Sequence, residues 1–85
     1  MVTPNVQAFE IKVYPNPTSD HLFIELGKYY KNISVSIKNS LGQTVFRNTY
    51  NNLNKINTPL KLNKGLYLLT LDYSDGIESF KVIIR

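Results

Sequence analysis

Side chains that could perform catalysis or hold a metal ion are few and dispersed in this 85-residue sequence. His21 is the single histidine and cysteine is absent, which excludes a disulfide framework, thiol catalysis and a zinc site built from Cys or His clusters. The carboxylates have neither the arrangement of a paired acid and base nor the spacing of a calcium loop; they are Glu10, Asp20, Glu25, Asp72, Asp75 and Glu78. We therefore expect no catalytic site, no metal site and no cofactor.

The glycines and the basic residues argue against two further classes of site. The glycines lie far apart, at positions 27, 42, 65 and 76, so the sequence contains no phosphate-binding loop. The net charge is +4, but the lysines and the two arginines are scattered along the chain. Nucleic-acid surfaces usually carry clustered Lys and Arg. We expect a basic surface that attracts anionic partners weakly and does not bind nucleic acid.

The aromatic residues offer one candidate for ligand contact. Tyr29 and Tyr30 fall in a predicted loop between Lys28 and Lys31, and we expect this pair to be exposed. The other aromatic residues are typical of strands and of the core of a small β protein. His21 is also expected to be exposed, without a partner base or ligand set.

The elements that position these residues follow the two-residue period of β-strands. Ile33, Val35 and Ile37 alternate with polar residues, as in a sheet with one buried face and one wet face. Leu66 and Leu68 break the alternation of their segment, which is predicted to be covered on both faces for part of its length. The predicted strands are 11–14, 21–26, 33–39, 43–50, 55–58, 66–73 and 77–84. Six or seven short strands predict an all-β, antiparallel sandwich or barrel.

Turn sequences separate the predicted strands. The segments 40–42 and 74–76 each contain a glycine and predict antiparallel hairpins. Pro15, Asn16 and Pro17 predict a rigid corner, because two prolines remove two donors from a strand ladder. No apolar run approaches the length that spans a bilayer, so we expect no transmembrane segment.

A resemblance to a known family rests on four segments that occur together and in order. They are residues 13–19 (VYPNPTS), 35–43 (VSIKNSLGQ), 64–67 (KGLY) and 81–85 (KVIIR). Their combination resembles the type A C-terminal sorting domain of the type IX secretion system. The resemblance covers residues 11–85 and makes residues 1–10 a linker from a cargo protein. The matched residues are Pro15, Asn16, Pro17, Gly42, Gly65, Tyr67, Lys81, Val82, Ile83, Ile84 and Arg85.

The resemblance implies a small immunoglobulin-like β-sandwich that serves protein export in Gram-negative bacteria. The covalently fused N-terminal cargo first enters the periplasm by a signal peptide, which is expected at the N-terminus of the parent protein. The outer-membrane translocation machinery of the type IX system then recognises the folded sorting domain. A surface cysteine peptidase commonly removes the domain, and the cargo reaches the cell surface or the medium. The implied domain is not an enzyme.

Recognition is expected at the tail formed by the last five residues. Lys81, Ile83 and Arg85 are expected on one exposed side of an edge or near-edge strand, opposite Val82 and Ile84. Unpaired backbone groups at such an edge could accept a partner strand. The alternative is that the tail only closes the sheet.

The other matched residues each have a structural explanation. The two prolines stiffen the corner that they flank. Gly42 and Gly65 are expected to supply positive φ angles. Tyr67 is expected to bury its ring and to hydrogen-bond its hydroxyl group.

Two other functions stay open at this point. A carbohydrate-binding or adhesive β-sandwich module of a secreted protein would present a flat row of exposed aromatic side chains or a calcium site. A structural spacer of immunoglobulin-like fold would tolerate a position in the middle of a longer chain, whereas a sorting signal belongs at its C-terminus.

Overall fold

The computed structural model describes residues 11–85, and the predicted linker at 1–10 lies outside the described residues. Five strands occur in this part of the chain: β1 Lys12–Tyr14, β2 His21–Lys38, β3 Thr44–Pro59, β4 Gly65–Tyr73 and β5 Gly76–Ile84. The predicted all-β class is confirmed. Over the same residues there is no helix of the length and apolarity needed to traverse a bilayer.

The five strands form one sheet in which every strand pair is antiparallel. β2 is central: its first half pairs with β1, its second half pairs with β4, and β3 follows it along both halves. β5 pairs with β4 along its whole length. A parallel bridge joins Thr18, which precedes β2, to Ile84 at the end of β5. The sheet therefore curls into a half-barrel of five strands, which is not clearly the expected sandwich of six or seven strands.

The predicted count of six or seven strands is wrong, because two pairs of predicted strands are continuous. The predicted strands 21–26 and 33–39 are both part of β2, and 43–50 and 55–58 are both part of β3. Gly27 in β2 has a φ of 84° and Asn52 in β3 has a φ of 55°. Glycine and asparagine tolerate this left-handed backbone, so each long strand changes direction without ending. The pairing of β2 with β3 shifts register between Glu25 and Tyr30, beside the Gly27 bend.

Both predicted hairpins are confirmed. Asn39 closes the turn between β2 and β3, where its side-chain oxygen accepts the backbone N–H groups of Leu41 and Gln43, each at 3.0 Å. Gly42 has a φ of 84° at this turn, as expected. In the second hairpin Tyr73 pairs with Gly76, which leaves a loop of two residues.

One hydrophobic core is formed by alternate residues of the strands. The predicted inward set of Ile33, Val35 and Ile37 is buried to 1% exposure or less. Burying a side chain of this size contributes about 1.5–3 kcal/mol, so the core supplies the main stabilisation of the sheet. The core residues are Ile11, Leu22, Ile24, Leu26, Tyr30, Ile33, Val35, Ile37, Ile56, Leu60, Tyr67, Leu69, Leu71, Val82 and Ile84.

Candidate recognition site on the last strand

The tail has the orientation that its alternating sequence predicts. Val82 and Ile84 face the core with 1% and 3% exposure, whereas Lys81, Ile83 and Arg85 are exposed. Lys81 and Ile83 lie on β5, and Arg85 follows it directly. Because strand side chains alternate between faces, the buried pair fixes the direction in which the exposed side chains project. The tail therefore presents two cations and one aliphatic side chain to solvent.

The outer backbone edge of the tail is not free, contrary to the expected open edge. The Asn16 side-chain amide donates to the Lys81 carbonyl at 2.7 Å, and the Ile83 N–H donates to the Asn16 side-chain oxygen at 3.0 Å. The backbone of Thr18 continues this pairing: its N–H donates to the Ile83 carbonyl, and its carbonyl accepts the Arg85 N–H, both at 2.9 Å. Four hydrogen bonds therefore occupy the edge that a partner strand would need.

The corner at residues 15–17 brings Asn16 to this edge. The peptide bonds that precede Pro15 and Pro17 are both cis. Thr18 is 5% exposed, and its hydroxyl group donates to the His21 carbonyl at the start of β2. The predicted corner is present, and it also lies against the last strand, which the sequence did not indicate.

The matched residues from the middle of the chain meet the tail at one end of the sheet. Gly65 pairs with Ile84 and Tyr67 pairs with Val82. The Tyr67 ring is buried, and its hydroxyl group donates to the Asn63 carbonyl at 2.7 Å, as expected. Gly65 has a φ of 156°, and a Cβ atom there would lie 3.7 Å from the Tyr67 ring.

Two exposed leucines beside the tail were missed, because their segment was expected to be covered on both faces. Leu66 is 52% exposed and pairs with Ile83. Leu68 is 40% exposed and lies between Lys81 on β5 and Lys38 on β2. The signal in the sequence was the break in alternation at these leucines. Both side chains stay exposed in the described chain, so the break marks an exposed apolar surface.

A comparison with known families decides between the functions left open. The model of the secretion system C-terminal sorting domain matches residues 12–85. The chain belongs to this family. It is a C-terminal sorting signal for type IX secretion, which implies export of its cargo to the cell surface or the extracellular space. The family consists of sorting signals rather than catalysts.

The sorting domain is also similar to part of a larger protein. It is 30% identical over 80 residues to a protein described as an endo-acting ulvan lyase from Formosa agariphila. The match covers 93% of the sorting domain but only 15% of the lyase.

The predicted tyrosine pair of the sorting domain is divided between surface and core. Tyr29 is 70% exposed, but Tyr30 is only 6% exposed, because both residues belong to β2 and point to opposite faces rather than lying in a loop. The Tyr30 ring meets the Tyr73 ring edge to face, with 4.8 Å between their centroids. Tyr29 and Tyr30 therefore do not form a joint contact surface. Tyr14 is also exposed, at 37%, and its ring centroid lies 5.6 Å from that of Phe23.

Carboxylates near this tyrosine pair hold the β4–β5 turn in place. The Tyr30 hydroxyl group donates to Asp75 at 3.1 Å, and the Tyr73 hydroxyl group donates to Glu78 at 2.6 Å. Burial raises the pKa of both tyrosines, and the carboxylate hydrogen bonds raise it further. Lys28 pairs with Asp75 at 3.2 Å. These acids therefore serve the packing of the turn, and residues 11–85 contain no group of three potential metal ligands.

His21 has a local partner only. Its side chain is 41% exposed, and its Nδ1 atom lies 2.7 Å from the Asp20 carboxylate. The Phe23 ring meets the imidazole edge to face at 5.0 Å. The histidine thus belongs to a surface contact at the start of β2.

Proposed function

We propose that the type IX outer-membrane translocation machinery recognises this sorting domain through the exposed side chains of its tail. The domain then directs the cargo fused to its N-terminal side from the periplasm across the outer membrane. The observation that supports this proposal is the display of Lys81, Ile83 and Arg85, held in place by the buried Val82 and Ile84. Because the fold already fixes the backbone of the tail, binding costs little backbone entropy, which favours affinity.

The tail is recognised by its side chains rather than by addition of a strand along its outer edge. Asn16 and Thr18 already satisfy the backbone groups at that edge. A partner strand would have to replace these four bonds before it gained any of its own. Side-chain recognition requires no such rearrangement and uses the charge of Lys81 and Arg85.

The domain itself performs no chemistry in this process. A surface cysteine peptidase removes it by cleavage in or just before residues 1–10, the predicted linker. The core and the covered edge of the tail lie within residues 11–85, so this step leaves them intact. Mass spectrometry of the released domain locates the cleaved bond, and a cut within 11–85 would contradict this proposal.

Charge reversal at the tail tests the recognition step. The chain is fused behind a periplasmic reporter in a host with type IX secretion, and surface delivery of the reporter is measured. In the variant Lys81→Glu with Arg85→Glu we expect delivery to fall about tenfold or more. Acidic groups of the partner that attract Lys81 and Arg85 would repel the two glutamates. The control Lys31→Glu with Lys61→Glu makes the same change in net charge at exposed positions outside the tail. Its delivery of the reporter should stay within about twofold of that of the original domain. Equal delivery by the two variants would remove the tail charges from the mechanism.

A further inference from the structure

An exposed surface beside the tail combines aliphatic side chains with lysines across three strands. We name it the lysine–leucine face; it consists of Lys38, Leu66, Leu68, Lys81 and Ile83. Leu66 and Ile83 are direct cross-strand neighbours, and Leu68 lies between the two lysines. Cross-strand neighbours of this kind have Cβ atoms about 5 Å apart, so the five side chains form one contiguous surface.

The face is exposed along its apolar part. Leu66, Leu68 and Ile83 are 52%, 40% and 45% exposed. Single exposed aliphatic residues are ordinary, but a contiguous group with a polar border is typical of an interaction site. Ile77, at the other end of β5, is 67% exposed but stands beside Asp72 and Ser79 rather than beside another leucine or isoleucine.

The charge of the face indicates what would cover it. Neither Lys38 nor Lys81 forms an ion pair with a carboxylate in the described part of the chain. A partner that covers the aliphatic side chains also removes water from these ammonium groups, which is costly unless it supplies opposite charge. The surface of the partner is therefore apolar where it covers the leucines and carries a carboxylate opposite each of the two lysines.

We propose that the lysine–leucine face is a docking surface for a protein whose complementary patch combines aliphatic or aromatic side chains with Asp or Glu. This inference rests on the proposed function and extends the recognition site from the tail to β2 and β4. Lys81 and Ile83 belong to both, so the tail and the two leucines form one continuous site.

A protein fits this face better than a lipid surface does. Side chains that enter the interface of a membrane are enriched in Trp and Tyr, and the lysine–leucine face has no aromatic ring. Surfaces that bind anionic lipids carry clusters of about four to eight basic residues, whereas this face carries two lysines. A pleated array with fixed side-chain positions instead matches the shape complementarity of protein interfaces.

Removal of the leucine side chains tests the face separately from the tail. The variant Leu66→Ser with Leu68→Ser is fused to the reporter as above, and we expect delivery to fall about tenfold, as when central interface residues are truncated. The control Tyr29→Ser with Ile77→Ser removes two side chains that are more exposed than the leucines and lie at the opposite end of the sheet. Its delivery should stay within about twofold of that of the original domain. Thermal unfolding verifies that each variant is folded. If the leucine variant does not fold, the variant Lys38→Glu replaces it and Lys31→Glu is its control. Delivery should then fall in Lys38→Glu and not in Lys31→Glu.

A photo-crosslinking residue, p-benzoylphenylalanine, placed at Leu68 identifies the class of partner during export. We expect a crosslink to a protein of the outer-membrane machinery, in a segment that contains Asp or Glu and apolar residues. A crosslink to lipopolysaccharide or to a second copy of this chain would overturn the inference.

The two proposals fail in different ways. If the unmodified domain and the leucine variant deliver the reporter equally, the inference about the face is wrong and the sorting function stands. If the unmodified domain delivers nothing while a known sorting domain does, the proposed function itself fails.

Discussion

The side-chain amide of Asn16 has two N–H donors and a carbonyl acceptor. One N–H group and the oxygen together match what a strand residue offers to its neighbour. Asn16 uses both on alternate groups of β5, the Lys81 carbonyl and the Ile83 N–H. Thr18 then continues the same ladder with its backbone. A single side chain thus begins the covering of an edge that would otherwise be open to other chains.

Substitution of Asn16 should loosen the end of β5. In Asn16→Ala both bonds are lost, and we expect the free energy of unfolding to fall by about 1–3 kcal/mol. Amide hydrogen exchange should accelerate at Ile83, whose N–H loses its acceptor. Urea unfolding and hydrogen exchange measure the two effects. Asn54→Ala is the matched control, because Asn54 is exposed on β3 and has no side-chain hydrogen bond among the described residues; equal losses in both variants would contradict the role of Asn16.

The raised tyrosine pKa values make stability depend on alkaline pH. Burial raises the pKa of Tyr73 above its ordinary value of 10.0, and the bond to Glu78 raises it further. Above about pH 10 the unfolded chain loses the phenol proton while the folded chain keeps it, so the free energy of unfolding falls as the pH rises. In Tyr73→Phe this fall should be less steep in urea unfolding between about pH 9 and 11. An unchanged slope in Tyr73→Phe would contradict the assignment.

Strand identity could be predicted from the sequence, but strand continuity could not. The predicted strand 66–73 differs from β4 by one residue, because Gly65 and the turn at 74–75 bound it. The pattern predicts that one strand ends before Gly27, because glycine often ends a strand. Glycine also permits a strand to bend and continue, which is what β2 does. The difference depends on β3, which accompanies β2 on both sides of the bend. This pairing is not readable from either segment alone.

The same limit applies to the recognition site. The direction of the tail side chains followed from local alternation and was correct. The covering of the tail edge depends on Asn16 and Lys81, which are 65 positions apart in the chain. A local pattern carries no information about such a contact, so an edge strand was predicted to be open.

The bend in β2 should depend on the backbone freedom of Gly27. Its φ of 84° is unfavourable for residues with a Cβ atom. We expect Gly27→Ala to lower the free energy of unfolding by about 1–2 kcal/mol, and Gly27→Asn to lower it less, because asparagine tolerates this conformation. Urea unfolding of the two variants provides the measurement. Equal loss in both would show that space around residue 27, rather than its backbone angle, limits substitution.

The whole sheet is closed by contacts between its first and last parts. β1 leads into the corner at 15–17, and Thr18 bridges to Ile84 beyond it. Ile84 is therefore both a core residue and part of the closure. The exposed tail depends on this closure for its fixed position, so loss of stability and loss of recognition are coupled in any variant that removes the tail. Deletion of residues 81–85 removes buried and exposed residues together and does not separate the two effects.

Substitution of two neighbouring isoleucines separates the loss of stability from the loss of recognition. The same change to alanine is made once in the core and once on the surface. Ile84 is 3% exposed, and Ile84→Ala should lower the free energy of unfolding by about 2–5 kcal/mol, as for other buried isoleucines. Small domains have about 5–15 kcal/mol in total, so this is a large share. Ile83 is 45% exposed, so Ile83→Ala loses only part of this burial and should lower the free energy of unfolding by about 1 kcal/mol.

Delivery of the reporter should nevertheless fall in both isoleucine variants, for different reasons. Ile84→Ala loses the closure that positions the tail, and its delivery should recover when the host is grown at lower temperature, because less of the protein is unfolded there. Ile83→Ala is fully folded but lacks a side chain of the lysine–leucine face, so lower temperature should not restore it. Urea unfolding together with surface delivery at two temperatures distinguishes the cases. Full delivery by Ile83→Ala at both temperatures would mean that the tail contributes closure of the sheet and no contact with the machinery.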